Sequence, residues 1–201
     1  MASGSGSNLQ AILDQCQGGD IPAQVVVVIS DKEGSFALQR ARRQQVQALL
    51  INPKDFSSKV LYEQAIVTAL REHGVELVCL AGYMRLVGST LLEGFPHRVM
   101  NIHPALLPAF PGLHGQQQAF EYGVRFAGCT VHFVDEGMDT GPIILQAVVP
   151  VLDEDTADAL AARILAEEHK IYPQAIRLFA QGRLQIQGRK VRIIEEVMSR
   201  D

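Results

Sequence analysis

Asn101-Ile-His-Pro104 sets a side-chain amide and an imidazole two residues apart. On a strand, Asn101 and His103 share one face while Ile102 packs the other way, and Pro104 ends the ladder. An amide that donates, beside an imidazole that donates or shuttles a proton, suits oxyanion stabilisation in acyl transfer. The plainer alternative is a strand-end histidine bonded to a loop carbonyl. Downstream, Asp135-Glu-Gly-Met-Asp-Thr-Gly141 is a loop with two glycines and three carboxylates. It reads either as a solvated acidic turn or as the source of a carboxylate that favours the imidazolium of His103. At the start of the chain, Ser3-Gly-Ser-Gly-Ser-Asn8 runs into helical pattern at Leu9. Free amides at a helix start, glycines that permit close approach and donating hydroxyls make a phosphate cradle; a loose Gly/Ser terminus is the competing reading. The loop lacks a Walker lysine, and Leu9 stands where a dinucleotide fingerprint has its third glycine. Glu167-Glu168-His169 reads as an exposed helix face. No H-E-x-x-H pairing and no G-x-S-x-G elbow occurs, which argues against a metal centre and a serine hydrolase.

These groups need a scaffold. At 201 residues, 47% hydrophobic and 20% charged, the chain suffices for one soluble globular domain. Its apolar runs fall short of the roughly 20 residues that cross a bilayer, and its start lacks a secretory pattern. A net charge of −4 excludes a general nucleic-acid binder. Cys16, Cys79 and Cys129, odd in number and widely spaced, fit free thiols in a reducing compartment, the cytoplasm. Hydrophobic spacing predicts a first helix closed by Gly18-Gly19, a doubly buried strand over 24–30, a helix near 36–45 and an apolar stretch at 48–51. A helix over 57–73, a strand over 77–81, a short helix near 89–93 and a strand over 99–103 follow. A Pro/Gly-rich loop spans 106–115, then come a helix near 116–122 and strands over 129–134 and 142–149. Asp155, with Asp158, is expected to cap a long amphipathic helix that Pro173 kinks or splits before Gln181. Two short strands, 184–186 and 190–194, finish the pattern. Strand–helix alternation implies an α/β fold: a doubly wound, mostly parallel sheet with helices on both faces and an antiparallel C-terminal extension.

The order of several stretches carries a resemblance. Ser-Gly-Ser-Gly-Ser-Asn-Leu-Gln at the start, Leu-Ala-Gly-Tyr-Met-Arg at 80–85 and Asn-Ile-His-Pro-Ala-Leu-Leu-Pro at 101–108 occur with Thr-Val-His-Phe-Val at 130–134, Asp-Thr-Gly at 139–141 and Glu-His-Lys-Ile-Tyr-Pro at 168–173. Over nearly its whole length the chain resembles the phosphoribosylglycinamide formyltransferases of the folate-dependent formyltransferase family. The resemblance implies a single Rossmann-like formyltransferase domain over 1–201, phosphate-binding over about 1–100, folate-binding and catalytic over about 101–201. It implies transfer of a formyl group from the co-substrate 10-formyltetrahydrofolate to the amine of glycinamide ribonucleotide in purine synthesis, without a metal. Asn101 and protonated His103 would stabilise the oxyanion, and Asp139 would keep His103 charged and relay the proton that the amine loses. Gly6, Ser7 and Asn8 would hold the ribonucleotide phosphate, and Glu168 its glycinamide end. Met84, Arg85, Leu86 and Val87, with Asn101 and the loop of Asp135, Glu136, Gly137, Met138 and Asp139, would enclose the folate. Lys59 stands where the family often has arginine, keeping the charge but not the bidentate geometry. Partners are expected to be small molecules only, with neither nucleic acid nor membrane, and the chain a monomer or weak homodimer.

One departure is expected to matter. Family members carry an apolar first strand, central in the sheet, ahead of the Ser-Gly loop, whereas only Met1 and Ala2 precede Ser3 here. The first strand is therefore expected to be missing, through a misassigned start or trimming, with unpaired ladder edges beside the gap. Alternatives are a formyltetrahydrofolate hydrolase, a methionyl-tRNA formyltransferase, an NAD(P)-dependent Rossmann oxidoreductase with Gly4-x-Gly6 and Asp31 as its fingerprint, and an inactive truncated homologue.

Overall fold

The apolar run expected as a strand over 24–30 enters a ladder only at β1 (Val27–Ser30). Its other partners show why. In the computed structural model, which describes residues 1–195, the strands form two sheets rather than one. β1 pairs in parallel with β2 (Gln47–Leu50). The second sheet has the order β3-β4-β5-β6-β8-β7, with β3 at Val78–Leu80, β4 at Val99–His103, β5 at Phe126–Phe133, β6 at Ile143–Pro150, β7 at Leu184–Gln187 and β8 at Lys190–Ile193. β3 and β4 are parallel, β4–β5 and β5–β6 antiparallel, and β8 joins β6 in parallel and β7 antiparallel. The antiparallel extension begins at β5, although a helix over Gly115–Tyr122 separates it from β4; β5 to β6 and β7 to β8 are the steps in which strands follow one another directly.

Between the two sheets lie Met1, Ala2 and Ser3. The Met1 amine donates to the Cys79 carbonyl at 2.7 Å, and the Met1 carbonyl accepts from the Ala81 N–H at 2.9 Å. Ala2 donates to the Ile29 carbonyl and Ser3 to the Gly82 carbonyl, each at 3.0 Å. No strand precedes α1 (Ser7–Gln17) among the described residues, and these four backbone bonds link the two sheets.

Helices cover both faces. α1 (Ser7–Gln17), α5 (Gly115–Tyr122) and α6 (Ala157–Ala180) pack on one side, where Leu9, Ile12, Met100, Val131, Ile164 and Tyr172 form a core. α3 (Lys59–Glu72) and α4 (Ser89–Gly94) build a second core with Ile29, Ile66, Leu80, Phe95 and Val99. α2 (Phe36–Arg43) packs against β1 and β2.

Two local expectations are corrected. α6 runs unbroken through Pro173 for 24 residues. A proline inside a helix forfeits one backbone bond, and here buried Ile171, Tyr172, Ala175 and Ile176 around it hold the helix together. Its cap is Thr156, whose hydroxyl accepts the Ala159 N–H at 3.2 Å, not Asp155. Asp155 turns instead to Arg163, bonded through both oxygens at 2.7 and 2.8 Å, which holds its carboxyl down to about 2.

α6 is tied to the sheet by the buried Tyr172 hydroxyl, which meets the carbonyls of Leu80 on β3 and Met100 on β4 at 3.2 and 3.0 Å. Replacing it by phenylalanine removes the only hydrogen in that contact. Tyr172→Phe is expected to lower stability by about 1–2 kcal/mol and Tm by roughly 3–6 °C. An unchanged melting curve would show that the hydroxyl does not brace the two strands.

Candidate active site

The β4–β5 register sets the geometry. Antiparallel pairing places Asn101 opposite His132, Ile102 opposite Val131 and His103 opposite Thr130. Side chains alternate along both strands, so Asn101, His103, Thr130 and His132 share one face of the paired strands. Residue types and spacing alone pointed to the first and second; the others repeat that period of two on the neighbouring strand, as Thr130-x-His132.

Each member is held. The Asn101 Nδ2 lies 3.3 Å from His132 Nε2, and His132 Nδ1 lies 2.8 Å from the Phe133 carbonyl. A carbonyl only accepts, so Nδ1 carries the hydrogen and Nε2 presents its lone pair to the amide. One Asn101 amide hydrogen is thus committed to His132, leaving the second and Oδ1 for other partners. Thr130 donates to the Ala105 carbonyl at 2.7 Å and accepts from the Leu107 N–H and from Gln146. That braces the loop leaving Pro104.

His103 is buried between two acceptors. Its Nε2 is 2.8 Å from the Phe110 carbonyl and its Nδ1 3.3 Å from Asp139 Oδ2. Asp139 also accepts the Gly112 N–H at 2.7 Å, and its Oδ1 lies 3.7 Å from His132 Nε2. The expected partnership of His103 with one carboxylate of the 135–141 loop is therefore Asp139. Asp139 has φ +55, a left-handed backbone that turns its carboxylate back toward the strands. The loop can fold this way because a Cβ at Gly141 would overlap the Phe133 carbonyl, and one at Gly137 the Thr140 hydroxyl. Asp135 accepts from the Gly137 N–H and the Thr140 hydroxyl, while Glu136, Gly137 and Met138 are exposed.

A second cluster forms at the start of α1. Gly6, at φ +69, precedes the helix, and no side chain caps its first turn. A Cβ on Gly6 would come within 2.9 Å of Ala37 on α2, so the loop sits against that helix. Ser7 is half-buried and Asn8 buried. Asn8 Nδ2 donates to Glu168 Oε2 at 2.6 Å, and Asn8 Oδ1 is buried without a protein partner. Glu168 is 7% exposed, correcting its reading as a surface residue, and burial pushes its carboxyl above the usual range although Asn8 opposes this. Its neighbour Glu167 takes the surface role with Lys170. Among the described residues no hydrogen bond joins this cluster to the His103 group.

Residues 84–87, after β3, form a third group, the rim. The Met84 N–H donates to Ser3 Oγ at 2.9 Å, tying the rim to the N-terminal loop. Arg85 lies over the Tyr62 ring, 5.7 Å from its centroid; Met84 and Leu86 are exposed, and Val87 packs on the core. Buried Glu63, which residue type and spacing did not single out, accepts the Gly88 N–H at 2.7 Å and the Leu91 N–H at 3.3 Å, fixing the end of the rim and the start of α4. Lys59 reaches Glu63 at 3.7 Å and borders Gly88, so it stands beside the rim with its ammonium partly engaged. Among the described residues no three His, Cys, Asp or Glu side chains converge as they would around a metal ion.

Burial is the main influence on His132 and pushes its pKa below the imidazole value of 6.5. A depressed folded value means that the unfolded chain takes up the proton first. This contribution to stability is complete above pH 6.5 and is lost as pH falls through the folded value. Wild-type stability should therefore fall more steeply below pH 6.5 than that of His132→Gln, as measured by urea midpoints at several pH values. Parallel pH profiles would contradict the neutral, Nδ1-protonated ring.

Comparison with known proteins places this geometry. Residues 1–176 match the family model described as formyl transferase. The phosphoribosylglycinamide formyltransferase of Bacillus subtilis (strain 168) is 46% identical over 176 residues, 88% of this chain and 90% of that protein. A trifunctional purine biosynthetic protein adenosine-3 of Drosophila melanogaster is 46% identical over 184 residues, which is 90% of this chain but 14% of that protein. Among solved structures, glycinamide ribonucleotide transformylase 1 from Symbiobacterium toebii superposes with a TM-score of 0.95 at 60% identity, covering 96% of this chain and 92% of that one. The chain belongs to the formyl transferase family, on its phosphoribosylglycinamide formyltransferase branch.

Proposed function

We propose that the chain transfers a formyl group from 10-formyltetrahydrofolate to the amine of 5′-phosphoribosylglycinamide in purine biosynthesis, with Asn101, His103 and Asp139 as its catalytic groups. The observation that carries this reading is the Asn101–His132 and His103–Asp139 arrangement on one face of β4 and β5. The folate supplies an electrophilic formyl carbon on N10; the amine bonds to that carbon, its C–N10 bond breaks, and the proton the amine loses is balanced by one gained at N10.

The chain's own groups serve that exchange. Asn101 has one amide hydrogen held by His132, so the other is aimed and free to donate to the oxygen that becomes negative. His103 donates from a ring whose two nitrogens face Asp139 and Phe110. To reach a substrate it gives up the Phe110 carbonyl, which belongs to the 106–115 loop, and keeps Asp139. Asp139 balances the charge of the protonated ring and takes part in relaying the amine's proton. Gly6, Ser7 and Asn8 hold the phosphate with free helix-start amides. Glu168 and the unpartnered Asn8 Oδ1 accept from the glycinamide nitrogens. The folate fits a rim whose apolar side chains are otherwise left to solvent: Met84, Leu86 and Met138 are 55, 64 and 49% exposed. Arg85, Val87, Asp135, Glu136 and Gly137 complete that rim, and Lys59 offers a cation to the folate's carboxylates.

In the same reading one domain spans 1–201 and works in the cytoplasm on small molecules, as a monomer or weak homodimer without nucleic-acid or membrane partners. No helix among the described residues is long and apolar enough to cross a membrane, and the net charge of −4 fits this. The hydrolase, tRNA-formylating, nicotinamide-dependent and inactive alternatives are not favoured by relatives of this branch.

Loss of 10-formyltetrahydrofolate followed by absorbance should require the ribonucleotide; turnover without it would indicate a hydrolase. His103→Ala and Asp139→Ala should each lower kcat by at least ~10²-fold, and near-normal rates in both would overturn their roles. Glu168→Gln should raise KM for the ribonucleotide by roughly tenfold, the cost of about one hydrogen bond to a charged group, with a smaller change in kcat. An unchanged KM would remove Glu168 from the substrate site.

A further inference from the structure

Two segments assigned above to different substrates meet at one buried side chain. Ser3 is 2% exposed and makes two bonds to the chain that leaves β3. Its N–H donates to the Gly82 carbonyl at 3.0 Å, and its Oγ accepts the Met84 N–H at 2.9 Å. Among the described residues, these are the hydrogen bonds that join 3–8 to 82–88. Gly82, at φ +75, turns the chain where β3 gives way to the rim. Burial keeps water from competing for the Ser3 hydroxyl, so its bond to Met84 is not readily exchanged for a solvent one.

On either side of Ser3 the chain is held more loosely. Gly4 and Ser5 are exposed, a Cβ on Gly4 would meet nothing within 4 Å, and Gly6 is left-handed. In the rim, Met84, Arg85 and Leu86 are exposed, and the anchor at its far end is Glu63 on the Gly88 N–H. Glycine and sparse contacts leave conformational freedom that a bound ligand must remove. A phosphate on the amides of Gly6, Ser7 and Asn8 would remove it on one side of Ser3, and a folate on 84–87 on the other. Because Ser3 fixes both segments to one another, the ligand that binds first lowers the ordering cost met by the second.

We propose that Ser3 is a positioning residue that couples the two substrate sites. The ribonucleotide raises the affinity for the folate, and the folate raises that for the ribonucleotide by the same factor, as linkage requires. This coupling rests on the formyl-transfer reading and adds to it that the two substrates bind cooperatively. Ser3 touches neither substrate; it acts through the Met84 N–H.

Phosphoribosylglycinamide and tetrahydrofolate test this as an unreactive pair, since neither carries the formyl group. In the wild-type chain the calorimetric Kd of tetrahydrofolate should fall at least ~5-fold when the ribonucleotide is saturating, the low end of coupling between sites. In Ser3→Ala the same ratio should approach one. The ratio is taken within each variant, so a general loosening of either site cancels. Loss of stability alone should leave it in place, as Tyr172→Phe checks. Hydrogen exchange gives a readout without substitution: the ribonucleotide by itself should slow exchange of the Met84 amide by at least ~5-fold. A wild-type ratio of one, an undiminished ratio in Ser3→Ala, an equal loss in Tyr172→Phe, or an unprotected Met84 amide would each overturn the coupling while leaving formyl transfer intact. Failure of the wild-type chain to bind either ligand alone would overturn the formyl-transfer reading and the coupling with it.

Discussion

The antiparallel pairing of β4 with β5 is the constraint on which the site depends. Because side chains alternate, a slip of one residue would turn Asn101 and His103 away from His132 and Thr130 and send them into the opposite core. Apolar residues guard that register: Met100 and Ile102 on β4 and Val131 on β5 are buried on the α6 side. A shift in the β5–β6 ladder falls between Val131 and His132, beside the same face. Such bulges re-aim side chains, and here the irregularity sits where an imidazole must meet an amide. Tyr172 adds a clamp from above by bonding to β3 and β4 at once.

Around that pair of strands loops from both ends bring in the remaining groups: 84–88 follows the carboxyl end of β3, beside that of β4, while 135–141 follows β5, whose carboxyl end lies beside the start of β4. Asp139 turns back toward His103 on a left-handed residue, and the 84–88 rim is fixed at one end by Ser3 and at the other by Glu63. The Ser-Gly loop is held by the backbone bonds of Met1, Ala2 and Ser3, by the Ala37 N–H on the Gly4 carbonyl at 3.3 Å, by the Arg40 side chain on the Ser5 carbonyl at 2.8 Å, and by Gly6 lying against Ala37.

Much of this was legible in residue types and spacing. β4 begins and ends where its pattern and Pro104 say it should, and the Asn-x-His face follows from strand alternation. The Ser-Gly loop and the first helix lie next to each other as their composition implied. What could not be read depended on partners distant in sequence. His132 becomes a support for Asn101 only through a register that no local pattern states. Glu168 sits in an acidic run that looks exposed, and only the crossing of α6 over α1 buries it against Asn8. Pro173 should break a helix by local rules, but tertiary packing outweighs one lost bond.

The central claim is that the strand register makes Asn101 and His132 act as one unit in formyl transfer. A double-mutant cycle on kcat with Asn101→Ala, His132→Gln and the combined variant tests it most directly. If His132 serves by orienting Asn101, the combined variant should be scarcely slower than Asn101→Ala alone. Losses that multiply would show that the two residues act independently and would contradict the account.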